Sequence, residues 1–279
     1  MNKMIFVLAV CFVLCLGVIA GTGLAGGGPE PDASGQAAEQ SEAQPAPTVR
    51  PQPTADPGLA LQRTAIPLAP GEDGYCETAF MPVNDDSVPN KELEKYRFGQ
   101  VEIRDNHLLL TAERQGDEYI SGKVESIFSF LYGSIEFRIN TMHGRGLFPA
   151  VWMLPANYDL FPEVDIYELI GSEPYRFYGV LHYLTGSQRQ REFFEHPFEM
   201  DQIPESYVLR FEWTKDAMKW YLEDELIYTI TEQVPQVPMY LIANLAVGGE
   251  WAGTPDDSAF PAVLDVEILE FTPGELFTR

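Results

Sequence analysis

From Tyr75 onward, apolar and polar residues alternate in short runs and do not recur at helical spacing. Period-two alternation marks Leu108-Leu109-Leu110-Thr111-Ala112, Ser134-Ile135-Glu136-Phe137-Arg138-Ile139 and Val164-Asp165-Ile166. It returns in Tyr207-Val208-Leu209-Arg210-Phe211-Glu212-Trp213 and in Lys219-Trp220-Tyr221-Leu222. Such a pattern predicts half-buried strands, because successive side chains of a strand leave opposite faces. Glu223-Asp224-Glu225 predicts a hairpin turn, with Leu226-Ile227-Tyr228 as the return strand. Short strands separated by turn formers over most of the chain predict an all-β fold, one antiparallel sandwich or barrel.

The front of the chain reads differently. Lys3 precedes an almost wholly apolar run from Met4 to Ala20, and small residues follow at Gly21, Gly23 and Ala25. This predicts an export signal over residues 1–25. The run is also long enough to stay in a membrane, which needs about 17–25 apolar residues, so anchorage through residues 4–20 is the alternative. Either way the rest is expected to be extracellular. Residues 26–70 are rich in Pro, Ala, Gln, Glu and Gly and nearly lack aromatic residues, predicting an extended linker that buries too little to fold. Residues 71–279 are then the folded domain.

Composition narrows the function. With 45% hydrophobic residues in a chain of 279, one sizeable core is available. A formal net charge of -24 disfavours nucleic acid and anionic lipid heads as partners and points to a neutral ligand. Cys11 and Cys15 fall in the apolar run, so Cys76 has no disulfide partner beyond it, and no zinc-type spacing of Cys and His occurs.

The candidate chemistry lies in Glu163-Val164-Asp165-Ile166-Tyr167-Glu168. Regular alternation puts Glu163 and Asp165 on one face, with Val164 and Ile166 toward the core. Tyr167 then interrupts the acidic face. One bulged residue would return Glu168 to it, and bulges are common beside active sites. At a rise of roughly 3.3 Å per residue the two glutamates would start ~13 Å apart at the backbone. Side chains leaning together could reach the ~5–5.5 Å separation used by retaining glycosidases. Three neighbouring carboxyls cannot all ionise cheaply, so at least one pKa should rise. A solvated acidic sheet face has the same pattern, and spacing does not separate the two readings.

The Glu-x-Asp-x-x-Glu strand resembles the catalytic signature of glycoside hydrolase family 16, in the laminarinase-like branch that carries the bulge. Lichenase-like members have the shorter Glu-x-Asp-x-Glu form. Upstream, Tyr119-Ile120-Ser121-Gly122-Lys123, Tyr132-Gly133-Ser134-Ile135-Glu136-Phe137-Arg138-Ile139 and Gly144-Arg145-Gly146-Leu147-Phe148-Pro149-Ala150-Val151-Trp152-Met153-Leu154-Pro155 are similar to family segments. So are Asn90-Lys91-Glu92-Leu93, Val180-Leu181-His182-Tyr183 and Asn244-Leu245-Ala246-Val247-Gly248-Gly249-Glu250-Trp251.

The resemblance implies a β-jelly roll of two curved antiparallel sheets with a glycan cleft across the concave one. It implies Glu163 as nucleophile, Glu168 as general acid and then base, and Asp165 as their helper. Trp152, His182, Asn244 and Trp251 are the implied cleft residues, with Phe148, Asn90 and Arg138 as further substrate contacts. The implied activity is an endo-acting, retaining β-glucanase on β-1,3 or mixed β-1,3/1,4 polysaccharide. The same fold acting on a galactan, acting as a transglycosylase, or only binding glycan are the alternatives. No cofactor and no metal site are predicted, and a monomer is expected. Phe148 stands where the family often has Trp, and Tyr207 where a His is common. The structural calcium of some members is not expected, Glu267 being explained by strand alternation.

Overall fold

The computed structural model describes residues 79–87 and 89–279. The apolar run 4–20, the linker 26–70 and Cys76 lie outside the described residues. Among the described residues no helix is long and apolar enough to cross a membrane.

Among the described residues sixteen strands form the domain. They are β1 Phe80–Pro82, β2 Glu94–Tyr96, β3 Val101–Arg104, β4 His107–Gln115, β5 Glu118–Ser121, β6 Lys123–Ser126, β7 Phe128–Asn140 and β8 Leu147–Pro155. They continue with β9 Glu163–Glu168, β10 Arg176–Thr185, β11 Gln188–Pro197, β12 Ser206–Trp213, β13 Met218–Leu222, β14 Glu225–Ile230, β15 Met239–Val247 and β16 Ala262–Thr278.

Pairing divides them into two runs. One runs β11-β10-β9-β8-β15-β6-β1 and the other β14-β13-β12-β7-β16-β4-β3. They join where β15 meets β7 at the single pair Met239↔Phe130. The two runs share one core, to which Phe137, Ile139, Leu209 and Phe211 come from one side and Met153, Val164, Leu181 and Leu241 from the other. This is the antiparallel sandwich expected from the alternation, in the jelly-roll form the resemblance implied, with one departure. The short β2 pairs with β5 in parallel, whereas the other strand pairs among the described residues are antiparallel.

The hairpin at Glu223-Asp224 forms as predicted. Both residues take positive φ, 47° and 69°, as a two-residue turn that matches strand twist requires. Tyr207 is not near solvent; its ring stacks on Phe177 in the core at 5.7 Å.

One expected contact is overturned. Parity in β7 sends Ile135, Phe137 and Ile139 inward and Arg138 to the opposite face. There Arg138 is ion-paired with Glu267 of β16, in the run that does not carry the acidic strand. Arg138 is therefore no part of a cleft over Glu163. The same pairing answers the calcium question at Glu267. That carboxylate faces Arg138 and, at 3.9 Å, the His107 ring. An arginine and an imidazole are poor company for an ion that takes an all-oxygen shell.

Candidate active site

Strand β9 lies between β8 and β10, and both neighbours register the bulge. On β8, Trp152 opposes Asp165 while Val151 opposes Tyr167. On β10, Val180 opposes Asp165 while Tyr178 opposes Glu168. Ile166 is thus the extra residue. Val164, Ile166 and Tyr167 all enter the core, and Glu163, Asp165 and Glu168 share the other face. Apolar residues on both sides of the bulge explain why the chain accepts it: the core gains Ile166 and Tyr167 together.

The bulge is secured from beneath. Trp220 of β13 is fully buried, and its Nε1 donates to the Ile166 carbonyl at 3.0 Å. Gly179 of β10 keeps room for this contact. A Cβ there would overlap the Phe194 ring and stand 3.1 Å from Trp220 Nε1.

On the opposite face the three carboxyls are almost wholly buried. His182 opposes Glu163 across β10 and β9. Its Nε2 is 3.7 Å from Glu163 Oε1 and 3.4 Å from Asp165 Oδ2. Burial, reinforced by Glu168 and Glu163, holds the Asp165 pKa well above the ordinary carboxyl range. Burial, with Glu163 adding to it, pushes Glu168 up to about 8, although Arg191 and Arg189 oppose this. Burial lowers His182 to about 3, and the same two arginines add to the effect. The imidazole is therefore neutral near pH 7, and its approach to the carboxyls is a polar contact and not an ion pair. Glu168 keeps its proton there, and Asp165 is shifted in the same direction. A site that holds a protonated carboxyl at neutral pH can deliver that proton to a leaving group.

A hydrogen-bonded chain sets the orientation of Trp152. Trp152 Nε1 donates to Asn244 Oδ1 at 2.7 Å, and Asn244 Nδ2 donates to the Tyr96 hydroxyl at 3.0 Å. Nearby, the buried Glu94 accepts from the Val247 N–H through Oε2 at 2.8 Å. Because an indole only donates, the chain fixes which way the Asn244 amide points. Asn244→Leu strips both the indole N–H and the Tyr96 oxygen of a partner. It is expected to cost about 1–3 kcal/mol of stability, read from the urea midpoint; an unchanged midpoint would deny the chain any role.

Further along, Asn90, Glu92, Phe148, Gly248, Gly249, Glu250 and Trp251 line a small pocket. Trp251 sits on a helical turn, Gly249–Ala252, with its ring edge-on to Phe148 at 5.2 Å and 4.9 Å from Tyr178. Asn90 takes φ 55° and its Nδ2 lies 3.4 Å from Glu92 Oε1. Burial first, then Glu94, pushes Glu92 up to about 9.

The structure thus gathers Trp152, His182 and Asn244 around the carboxyl face and Asn90, Phe148 and Trp251 around the pocket. Sequence reasoning passed over Glu94, Tyr96, Arg189 and Arg191. The two arginines alternate on β11, and Arg191 opposes His182. Their alternation is visible in Gln188-Arg189-Gln190-Arg191, but its face becomes apparent only once β10 is known to be the partner.

Comparison with known proteins adds an independent line. The model of the glycosyl hydrolases family 16 matches residues 91–261. A β-glucanase from Rhodothermus marinus is 31% identical over 218 residues, covering 64% of this chain and 73% of that protein. The structure of the laminarinase from Rhodothermus marinus superposes with a TM-score of 0.61 at 27% identity, covering 70% of this chain and 90% of that one. The endo-β-1,3-glucanase of Pyrococcus furiosus gives 0.60 at 27% identity, covering 72% and 89%.

Proposed function

The chain belongs to glycosyl hydrolase family 16, and from that premise we propose that it cleaves β-1,3 or mixed β-1,3/1,4 glucans internally, with retention of anomeric configuration. The carrying observation is the set of buried carboxyls on one face of a bulged strand, one of them protonated up to about pH 8. Glu163 attacks the anomeric carbon. Glu168 protonates the departing glycosidic oxygen, and the carboxylate it becomes then activates the water that releases the glycosyl-enzyme. Asp165, lodged between them and shifted toward its acid form, limits the charge that the cluster accumulates. Trp152 and Trp251 offer ring faces to sugar, and His182, Asn244 and Asn90 offer directed hydrogen bonds. The named activities of the Rhodothermus and Pyrococcus relatives support the glucan assignment. Export through residues 1–25, or anchorage through residues 4–20, would place the domain where such polymers are met.

The deciding experiment follows product anomers by proton NMR during hydrolysis of laminarin and lichenan, with agarose and carrageenan alongside. The β anomer should appear first on the glucans; initial α anomer would overturn the mechanism, and preference for a galactan would overturn the substrate.

A pH limb follows from Glu168. Its acid form is required, and its pKa in the folded chain is raised, so kcat should hold below about pH 8 and fall as pH rises through it. Stability should drift the same way. The folded chain keeps a proton that the unfolded carboxyl releases near its model value of 4.5, so stability declines between that pH and about 8. Activity rising across pH 7–9 would contradict the assignment.

A further inference from the structure

The geometry points to a second ligand for the carboxyl face: a single transition-metal dication of the zinc class, bound by Glu163, Asp165 and His182 in place of the sugar. One donor atom from each of the three residues lies within 4.8 Å of the other two. A tetrahedral zinc with N and O ligands at about 2.0–2.2 Å requires ligand–ligand edges of about 3.3–3.5 Å. Two edges are close to that already, 3.4 Å from His182 Nε2 to Asp165 Oδ2 and 3.7 Å to Glu163 Oε1. The third, between the two carboxylates, is bounded by the same 4.8 Å.

The donors point to the metal class. Three ligands including an imidazole suit zinc with an open fourth position, whereas calcium takes six to eight oxygens. Asp165 Oδ2 is buried within this cluster and has no hydrogen-bond partner. His182 Nδ1 is also buried without a partner, so no hydrogen bond commits the ring proton to Nε2. The neighbours that oppose the ion are Arg189, 3.9 Å from Glu163 Oε1, and Arg191, which pairs with His182 across β10 and β11. Arg189 must swing aside or share that carboxylate, while two carboxylates balance the charge of the dication.

Such an ion would occupy the nucleophile and its helper, so it would inhibit reversibly and compete with glucan. That inhibition rests on the proposed function; the binding does not. The test uses the full chain, stripped with EDTA and with its thiols capped by iodoacetamide so that cysteines do not contribute. Zinc is titrated by calorimetry, and cobalt(II) is added to report coordination geometry by its visible absorption. The expected result is one zinc per chain with tetrahedral-type cobalt bands. His182→Gln should weaken binding by at least about 100-fold, since loss of residues that merely support ligands already costs about 10–100-fold. Asp165→Asn provides the same test if His182→Gln fails to fold. Glu168→Gln should keep the ion while losing hydrolysis, which separates the two proposals. Absence of zinc binding at millimolar concentration, or binding that ignores both His182→Gln and Asp165→Asn, would overturn the site.

Discussion

Glu163→Gln is expected to lower kcat on laminarin by at least about 10⁴-fold, in the range seen when a covalent nucleophile is removed from an otherwise intact site. The amide is nearly isosteric with the carboxyl, and Glu163 is already buried beside Asp165 and Glu168. Removing one of three crowded acids relieves repulsion, so the melting temperature should hold or rise while activity disappears. Glu168→Gln separates the two roles. It should cost about 10²–10⁴-fold on glucan, the usual worth of a general acid. The loss in the first step should be far smaller on an aryl glycoside, whose leaving group departs without a proton. Initial-rate assays on both substrates, with circular dichroism to confirm folding, check the pair. Equal losses on glucan and on the aryl glycoside would remove Glu168 from the acid role.

Trp220→Ala is expected to destabilise the domain by about 3–5 kcal/mol, the cost of emptying a large buried aromatic site. Its indole is fully buried, packs against Phe194 at 5.3 Å and Phe211 at 4.9 Å, and donates to the Ile166 carbonyl. The truncation therefore opens a cavity and leaves a carbonyl at the bulge without its donor. Trp220→Phe restores much of the volume and withholds only the N–H. It should lose less stability, yet kcat should still drop, because the bulge sets where Glu168 points. Guanidinium melts and kcat for both variants decide the matter; a Trp220→Phe enzyme with unchanged kcat would show that the bulge needs no support from below.

The alternation of apolar residues announced most of the strands, because a half-buried strand writes its inner face directly into the sequence. The acidic segment was legible for the same reason. Tyr167 broke the parity, and a bulge was the least costly repair; the registers of β8 and β10 place the extra residue at Ile166. Arg138 shows where such reading stops. Parity says which side of its own strand a residue takes, but not which sheet that strand joins, and β7 joins the sheet away from the acids. Arg189 and Arg191 were missed for a similar reason. Their bearing on Glu168 and His182 comes from β11 lying beside β10, a pairing with no local signature. The chain from Trp152 through Asn244 to Tyr96 joins residues 148 positions apart at its Asn244–Tyr96 link, beyond any local pattern.

The position of the bulge also bears on how such strands can change length. Ile166 and Tyr167 are consecutive and both point inward, so deleting Ile166 alone would leave Glu-Val-Asp-Tyr-Glu, a strand of unbroken parity. Every remaining side chain would keep its face, and the two glutamates would stay about four strand rises, roughly 13 Å, apart at the backbone. Loss of Tyr167 in its place would have the same effect, whereas a deletion outside the Ile166–Tyr167 pair would turn an acid into the core. The bulge is thus the one point at which this strand tolerates loss of a residue without inverting its chemistry.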